Sequence, residues 1–262
     1  MRRGDIILNR MTLAFGTGRN TVTALEDLSL TVSAGDILTI LGPSGCGKSS
    51  LISSIAGFKP PYSGTLLVDG EPVCGPGSDR GVVFQQPTLF PWKTVWKNID
   101  FGLKLRGVAR ADRGEIIRNI LVKVGLSEFK NHFPTQLSGG MQQRVGLARV
   151  LVNRPRVMLM DEPFSALDAQ TRLMMQDLLL TVWGEYRMTI IFVTHDIDEA
   201  IYLGSQVAVL TRRPGRLKAR LKVGLPYPRR ADMLVLGEFM SLKKQCLNLL
   251  YEETHGALGA VT

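Results

Sequence analysis

The sequence predicts an α/β fold in which a parallel sheet is flanked by helices, with a small antiparallel β layer and an inserted helical subdomain. Short apolar runs of strand character at residues 37–41, 157–160 and 189–193 are each followed by polar or helical sequence. Strands that alternate with helices favour a parallel sheet with helices on its faces. Apolar and polar residues alternate before residue 37, as in antiparallel strands, whereas residues 87–152 have helical character.

Strand signals recur in the first third of the chain, and turn residues bound them. In order, the predicted features are turns at residues 16–18 and 33–35, the buried strand 37–41, a glycine-rich turn, a helix from 49 to about 57, a strand at 65–68 with a hairpin turn at Asp69-Gly70, and a short strand at 82–84. This order places the glycine-rich turn directly between a buried strand and a helix.

Helix signals dominate the middle of the chain. An apolar stripe of helical spacing ends at Gly125, which is typical of a helix with a C-terminal stop; the stripe consists of Ile116, Ile117, Ile120, Leu121 and Val124. A helix-like stretch at 239–251 follows a basic, proline-punctuated segment. We expect one domain over residues 1–262, with a catalytic core at about 1–86 and 153–215, a helical subdomain at about 87–152 and a basic C-terminal extension at about 216–262.

The composition is that of an ordinary soluble globular protein, since 45% of its 262 residues are hydrophobic and 21% are charged. No apolar run approaches the roughly 18 residues that span a bilayer, and the first residues do not resemble a signal peptide. Three widely spaced cysteines fit a reducing compartment and argue against a disulfide framework. We therefore expect a cytoplasmic protein.

The net charge of +9 is unevenly distributed. Residues 212–230 contain eight basic side chains and no acidic one, namely Arg212, Arg213, Arg216, Lys218, Arg220, Lys222, Arg229 and Arg230. One interpretation is a solvated surface ribbon. The other is attraction to anionic lipid or nucleic acid, because both bind clustered Lys and Arg.

The glycine-rich turn fits the P-loop pattern, in which two glycines enclose four residues and are followed by Lys and Ser. It comprises Gly42, Pro43, Ser44, Gly45, Cys46, Gly47, Lys48 and Ser49, with Ser50 next in the helix. Main-chain N–H groups of such a turn point at the β-phosphate, and the helix N-terminus adds positive potential. We predict a P-loop NTPase core in which Lys48 bridges the β- and γ-phosphates of ATP and the Ser49 hydroxyl ligates Mg²⁺.

One residue of this turn can be modified chemically. Cys46 lies inside the phosphate-binding motif. We therefore expect alkylation of its thiol to block access of the nucleotide, and bound ATP to protect it.

An acidic pair complements the P-loop. The apolar strand 157–160 ends in Asp161 and Glu162, as a Walker B strand does. A buried strand would carry Asp161 to the carboxyl edge of the sheet, where it can hold Mg²⁺ through water. Glu162 would lie one residue closer to the γ-phosphate and could polarise the attacking water.

Four further motifs lie in a fixed order around these elements. They are Val83-Phe84-Gln85, Leu137-Ser138-Gly139-Gly140-Met141-Gln142-Gln143-Arg144, Ser165-Ala166-Leu167-Asp168 and Phe192-Val193-Thr194-His195-Asp196. They resemble the Q-loop, signature sequence, D-loop and switch-histidine segment of the ATP-binding cassette (ABC) proteins. The order and spacing are similar to that family from about residue 5 to residue 215.

The resemblance implies that one chain does not complete its own site. In the family the signature sequence faces the γ-phosphate bound by a second subunit. Ser138, Gly139 and Gly140 open a helix and would present a hydroxyl and N–H groups to that anion. Two chains would therefore pair head to tail as a homodimer with ATP sandwiched between them.

The resemblance also assigns the remaining residues. His195 would hold the γ-phosphate and the geometry of Glu162. Gln85 would contact Mg²⁺ and the attacking water, Asp168 would organise the dimer seam, and Phe15 would stack on adenine. For Phe15 a core role is an equally good interpretation. Two positions depart from the commonest family pattern, Met141 in place of Gln and Phe15 in place of Tyr, and neither removes the phosphate-binding groups.

The segment 79–99 and the run Arg213-Pro214-Gly215-Arg216 are similar to one group of bacterial importers, which take up nitrate, aliphatic sulfonates, taurine or pyrimidine precursors. Membership implies a peripheral ATPase at the cytoplasmic face of the inner membrane. Its partners would be integral membrane permease subunits and a periplasmic or surface solute-binding protein. The apolar, proline-bounded stretch 87–96 would contact the permease, unless it packs within the helical subdomain.

Two alternatives remain open. A related ATPase that acts on DNA would explain the basic segment, but such proteins carry long coiled coils, and the interval between the P-loop and the signature has no sustained heptads. We therefore expect no nucleic acid partner. A non-transport regulatory module is disfavoured because Glu162 and His195 are both present.

Overall fold

The computed structural model describes residues 3–16 and 18–255, so residues 1–2, 17 and 256–262, which the predicted domain includes, lie outside the described residues. The strands are β1 Ile6–Phe15, β2 Val22–Val32, β3 Ile37–Leu41, β4 Ser63–Val68, β5 Glu71–Pro72, β6 Arg80–Val83, β7 Val157–Asp161, β8 Thr189–Val193, β9 Gln206–Leu210 and β10 Leu217–Lys222. The α-helices are α1 Lys48–Ile55, α2 Val95–Leu105, α3 Arg110–Lys123, α4 Gly139–Leu151, α5 Ala169–Tyr186, α6 Ile197–Leu203 and α7 Gly237–His255.

The central sheet has the strand order β10-β9-β3-β8-β7-β6. The pairs β9–β3, β3–β8, β8–β7 and β7–β6 are parallel, as the alternation of strands and helices predicts. The edge strand β10 is antiparallel to β9 and was not predicted. A short turn at 211–216 joins these two strands, and so short a connection permits only antiparallel pairing.

The second sheet is the predicted antiparallel layer, with the order β2-β1-β4-β5. Its apolar face packs against α1 and the central sheet, and the buried side chains of this cluster include Leu8, Leu28, Leu51, Ile52 and Leu159. The layer therefore covers the helix that follows the P-loop, and it brings the end of β1 close to that loop.

The helical insertion shares its core with the central sheet. Val95 and Ile99 of α2, Leu121 of α3 and Leu147 of α4 belong to the same buried cluster as Met160 of β7. Helix α4, which begins with the signature motif, also packs against β6. No helix among residues 3–16 and 18–255 is long and apolar enough to cross a membrane.

The middle of the basic segment forms β10, the edge strand of the sheet, and several of its basic side chains are paired within the chain. Arg216 contacts Glu26 at 2.9 Å, and Lys218 contacts Glu253 at 2.7 Å. Arg220 donates to the Thr31 carbonyl at 2.6 Å. Charged side chains on an edge strand also discourage pairing with other chains. These contacts support the interpretation of a surface ribbon.

Candidate functional site

Three neighbouring strands bring the motifs to one edge of the sheet. The central strands β3, β8 and β7 are parallel and adjacent, so their carboxyl ends meet at the same edge. The P-loop follows β3, Asp161 ends β7, and His195 lies two residues after the end of β8. Motifs more than 100 residues apart in sequence therefore converge on one location.

The P-loop has the backbone that its glycines permit. Gly45 has φ +76° and Gly47 has φ +105°, both in the region that favours glycine. A Cβ at Gly47 would also lie 2.8 Å from Leu25 Cδ2. The Lys48 side chain is buried and donates to the carbonyls of Gly42 and Pro43 at 2.7 and 2.9 Å. These bonds hold its ammonium over the loop.

A cavity of about 280 Å³ opens beside this loop. Its lining comprises Phe15, Ala24, Ser44, Gly45, Gly47, Lys48, Ser49, Ser50, Glu162 and Arg213. Seven of these ten residues were predicted from the sequence to bind ATP and Glu162 to act in catalysis, and the structure brings these eight together. Ala24 and Arg213 were missed. In the sequence, Arg213 belongs to the basic segment and to a run that resembles one group of importers, and neither feature predicts that it lies at the cavity.

The position of the Cys46 side chain bears on one prediction. Its side chain is fully buried in the apolar cluster beneath the loop, and burial raises the pKa of its thiol. A buried, protonated thiol is a poor nucleophile. The structure therefore does not support the expectation that alkylation at Cys46 blocks access of the nucleotide, because the buried thiol is not part of the cavity lining. Only the main chain of Cys46 belongs to the phosphate-binding turn.

The carboxylate of Asp161 lies against the start of α1. Burial raises the pKa of Asp161, a hydrogen bond with Ser49 lowers it, and the charge of Glu162 raises it further. Two carboxylates and a hydroxyl lie together beside the cavity. Hard oxygen donors of this kind fit Mg²⁺, which also takes ligands from phosphate.

Glu162 has a strained backbone that aims its side chain. Its φ of +45° is uncommon for a residue with a side chain, and its N–H donates to the Val193 carbonyl at 2.9 Å. The carboxylate lines the cavity, and its Oε2 lies 3.0 Å from Nδ1 of His195. A carboxylate held by an imidazole beside a phosphate-binding loop can accept a proton from water.

Gln85 is linked to Glu162 through Ser165. The Gln85 amide donates to the Ser165 hydroxyl at 3.1 Å, and that hydroxyl donates to the Glu162 carbonyl at 2.9 Å. The sequence placed Ser165 in the motif that resembles the D-loop but predicted no role for it. The arrangement joins the Q-loop, the D-loop and the acidic pair in one hydrogen-bonded chain.

The signature residues and Asp168 lie elsewhere. Ser138 caps α4, accepting from the Met141 N–H at 3.3 Å, and Asp168 caps α5, accepting from the Thr171 N–H at 2.9 Å. A Cβ at Gly140 would lie 2.8 Å from Thr171 Cγ2, so the two helix starts are neighbours. Neither of them lines the cavity at the P-loop of the same chain.

The structure explains the two residues that depart from the commonest family pattern, Met141 and Phe15. Met141 is partly buried and packs on the main core, which suits its apolar side chain. The Phe15 ring is 39% exposed, and the Lys59 ammonium lies 3.0 Å from its centroid. One face of the ring is therefore covered by a cation, which leaves one face for stacking.

Comparison with known proteins identifies the family. The profile of the ABC transporter family matches residues 25–165. An uncharacterized ABC transporter ATP-binding protein of Methanocaldococcus jannaschii is 49% identical over 246 residues, which cover 94% of this chain and 91% of that protein. The taurine import ATP-binding protein TauB of Burkholderia pseudomallei is 48% identical over 211 residues, covering 80% and 81% of the two chains.

Solved structures that are similar to this chain belong to the same kind of protein as these relatives. An ATP-binding cassette, solved as a dimer in a post-hydrolysis state with ADP and phosphate, is 31% identical with a TM-score of 0.74 and covers 83% of this chain and 98% of that one. The cbiO1 protein of Clostridium perfringens, part of the ABC transporter complex cbiONQ, is 27% identical with a TM-score of 0.76, covering 85% and 90%. The chain belongs to the ABC transporter family and is one of its ATP-hydrolysing, ATP-binding subunits.

Proposed function

We propose that this chain energises the uptake of a small solute through a separate membrane permease. The proposal is supported by the similarity to TauB proteins, which are named as ATP-binding proteins of taurine import. A small anionic or nitrogen- or sulfur-containing solute fits that group. The chain would act at the cytoplasmic face of the inner membrane, with a periplasmic or surface solute-binding protein selecting the solute.

Hydrolysis would be carried out by the residues around the cavity. Lys48 and the loop N–H groups would bind the β- and γ-phosphates, which suits a helix N-terminus. Ser49, Asp161 and Gln85 would hold Mg²⁺, whose charge would offset that of the phosphates. Glu162 would orient and deprotonate the attacking water, and His195 would fix the position of the Glu162 carboxylate, which lies 3.0 Å from its ring.

The observation that carries the coupling proposal is the segment 87–96. Asn98 is fully buried and holds this segment by accepting from the Phe90 N–H at 2.9 Å and donating to the carbonyls of Phe90, Lys93 and Thr94. The fixed backbone presents Trp92 to solvent with 70% of its surface exposed. A rigidly held, exposed tryptophan is typical of a protein–protein contact.

A groove continues from this segment. It is lined by apolar and basic side chains of β6, α2 and α4, among them Phe101, Leu105, Arg149 and Val150, and its volume is about 320 Å³. Arg149 donates to both oxygens of Thr88, which joins the groove to the segment after the Q-loop. We infer that a cytoplasmic segment of the permease binds here, where its movement could reach Gln85.

The test is solute uptake by cells that lack the gene, with a panel of nitrate, taurine, aliphatic sulfonates and a pyrimidine precursor. The parental gene should restore uptake of one class, and Glu162→Gln should not. Trp92→Asp should abolish uptake while the purified variant keeps its basal ATPase rate; exposed Tyr62→Asp serves as the matched control. Full uptake with Trp92→Asp would contradict the docking site, and full uptake with Glu162→Gln would contradict the role in transport.

A further inference from the structure

Arg213 forms a wall of the nucleotide cavity that family motifs do not account for. It lies in the hairpin turn between β9 and β10, far in sequence from the P-loop, and lines the cavity with Phe15, Lys48 and Glu162. Arg213 is the second basic residue of the lining, beside Lys48. Its position within the cavity indicates what it would contact.

The guanidinium lies at the Phe15 end of the cavity. Arg213 Nε donates to the Thr23 carbonyl at 3.1 Å. Thr23 pairs with Ala14 across the β1–β2 ladder, and the next pair joins Val22 to Phe15. Lys48 and Glu162, by contrast, lie at the carboxyl edge of the central sheet, at the phosphate end.

The backbone that carries Arg213 is fixed on two sides. The Gly215 N–H donates to the Ala24 carbonyl at 2.9 Å, and the Gly215 carbonyl accepts from the Glu26 N–H at 3.0 Å. A Cβ at Gly215 would overlap the Cys46 carbonyl of the P-loop, so the turn is packed directly on that loop. A side chain that starts from such a turn loses little freedom when it binds a ligand.

Most hydrogen-bond donors of Arg213 point to no protein group. Within residues 3–16 and 18–255, its one recorded hydrogen bond uses Nε, and no carboxylate lies within 4.0 Å of its guanidinium. Both terminal amino groups therefore remain for a ligand. A planar guanidinium also stacks on aromatic rings, in proteins and in bases.

We propose that Arg213 binds the nucleoside end of ATP, with its guanidinium packed against the base that rests on Phe15. Lys59 covers one face of the Phe15 ring, so the base would rest on the other face. The Arg213 guanidinium would then cover the opposite side of the base. This inference rests on the assignment of the cavity as the ATP site. It makes Arg213 a substrate-binding residue and leaves the chemistry of the γ-phosphate to Lys48 and Glu162.

The experiment compares two inhibitors of the ATPase reaction, ADP and inorganic pyrophosphate, which share two phosphates and differ in the nucleoside. Arg213→Ala should raise the inhibition constant of ADP about 3- to 30-fold, the range of cation–aromatic contacts. The constant of pyrophosphate should not change. Arg213→Lys keeps the charge but loses the planar fork and should resemble Arg213→Ala. Arg212→Ala, at the exposed neighbouring position, should leave both constants unchanged.

Three results would overturn the inference. If Arg213→Ala weakens inhibition by ADP and by pyrophosphate equally, Arg213 contacts the phosphates. If Arg213→Lys is inhibited as the parental protein is, only the positive charge of Arg213 matters. If Arg213→Ala leaves the inhibition constant of ADP unchanged, Arg213 does not contact the nucleotide. Lys48→Ala separates this inference from the assignment of the cavity. If Lys48→Ala abolishes hydrolysis while Arg213→Ala has no effect, only the role of Arg213 fails. If Lys48→Ala hydrolyses ATP normally, the cavity itself is misassigned.

Discussion

The strained backbone of Glu162 places its carboxylate at the cavity. Its positive φ is held by the hydrogen bond to Val193, and the resulting direction brings its carboxylate to the cavity and to His195. Strain of this kind costs roughly 1–3 kcal/mol and persists where the surrounding structure fixes it. The role proposed for Glu162 in hydrolysis would therefore depend on the charge of its carboxylate more than on the shape of its side chain.

We predict that Glu162→Gln lowers the turnover number of ATP hydrolysis by about 10²–10⁴-fold, the usual contribution of a general base. The amide keeps the shape and a hydrogen bond to His195, but it does not accept a proton from water. ATP binding should persist because Lys48 and the P-loop are unchanged. Phosphate release and ATP binding are measured in parallel, with exposed Glu115→Gln as the control. A parental turnover number would show that Glu162 is not the base.

Cysteine labelling tests the position of the P-loop side chains. Cys74 is exposed, whereas Cys46 and Cys246 are buried, and burial raises the pKa of Cys246 to about 11. We predict that N-ethylmaleimide adds one adduct to the folded protein, at Cys74, without loss of ATPase activity. Urea should expose the other two thiols. Mass spectrometry counts the adducts, and Cys74→Ser should take up none before unfolding; rapid labelling of Cys46 would contradict its buried position.

At this scale the sequence predicted which residues lie near the site better than it predicted where their side chains point. Motif spacing predicted Lys48, Asp161 and Glu162, because phosphate transfer needs these residue types near a P-loop, and the family resemblance added His195. The sequence did not reveal that the Cys46 side chain is buried in the core, since cysteine occurs both in exposed loops and in buried positions. Arg213 was missed because its contact with the cavity depends on a hairpin that no local pattern predicts.

At the scale of elements, helices α5 and α6 meet at a buried polar pair. Gln176 donates to Glu199 at 3.1 Å, and both residues are buried. Burial raises the pKa of Glu199, while hydrogen bonds from Thr194 and Gln176 lower it and the charge of Asp196 raises it. The balance is an upward shift, so the ionised form of this side chain destabilises the fold relative to the unfolded chain.

Glu199→Gln should therefore stabilise the protein at neutral pH. The cost of the buried charge is fully present above the raised pKa and disappears as the pH falls through the ordinary glutamate range, where the unfolded chain is also protonated. The sign of this prediction is a higher Tm for the variant at pH 8, and each 1 kcal/mol of gain would raise the Tm by roughly 2–4 °C for a chain of this size. Thermal unfolding at pH 8 and pH 4, with Glu115→Gln as the surface control, measures it. A lower Tm at pH 8 would contradict the prediction.

The elements themselves were largely predictable, with one informative exception. Buried parallel strands such as β3 and β8 are continuous apolar runs, and such runs are visible in a sequence. The edge strand β10 alternates Leu217, Ala219 and Leu221 with basic side chains, and this pattern was masked by its high charge. Its pairing with β9 became evident only from the turn that joins them.

At the scale of the whole molecule, the fold keeps the signature motif away from the P-loop cavity of the same chain. The P-loop cavity contains no residue of the signature motif, and the start of α4 packs beside the start of α5 instead. A helix N-terminus with a serine cap and two glycines is suited to bind an anion. A second copy of the chain, placed head to tail, would supply this group to the γ-phosphate. The family resemblance already implied that one chain does not complete its own site. The structure adds that the start of α4 lies beside the start of α5, a contact that no pattern within one sequence gives.

We predict that the Glu162→Gln protein changes from monomer to dimer when MgATP is added. ATP that is bound but not hydrolysed would keep its γ-phosphate between the P-loop of one copy and Ser138, Gly139 and Gly140 of the other. Size-exclusion chromatography with and without MgATP measures the change. ADP should not produce the dimer, because it lacks the phosphate that would join the two copies.

Adding Ser138→Arg to Glu162→Gln should abolish this dimer without abolishing ATP binding. The larger side chain would occupy the position of the partner's phosphate, whereas Ser138 does not line the cavity of its own chain, so the affinity of the monomer for ATP should not change. Arg at an N-cap also loses the hydrogen bond to the Met141 N–H, which costs about 1 kcal/mol of stability. Ser138→Ala in the Glu162→Gln background therefore controls for the lost cap, and it should still dimerise. A double mutant that dimerises as well as Glu162→Gln would show that the signature does not bind ATP across the interface. Loss of ATP binding by the monomer would place Ser138 in the site of its own chain instead.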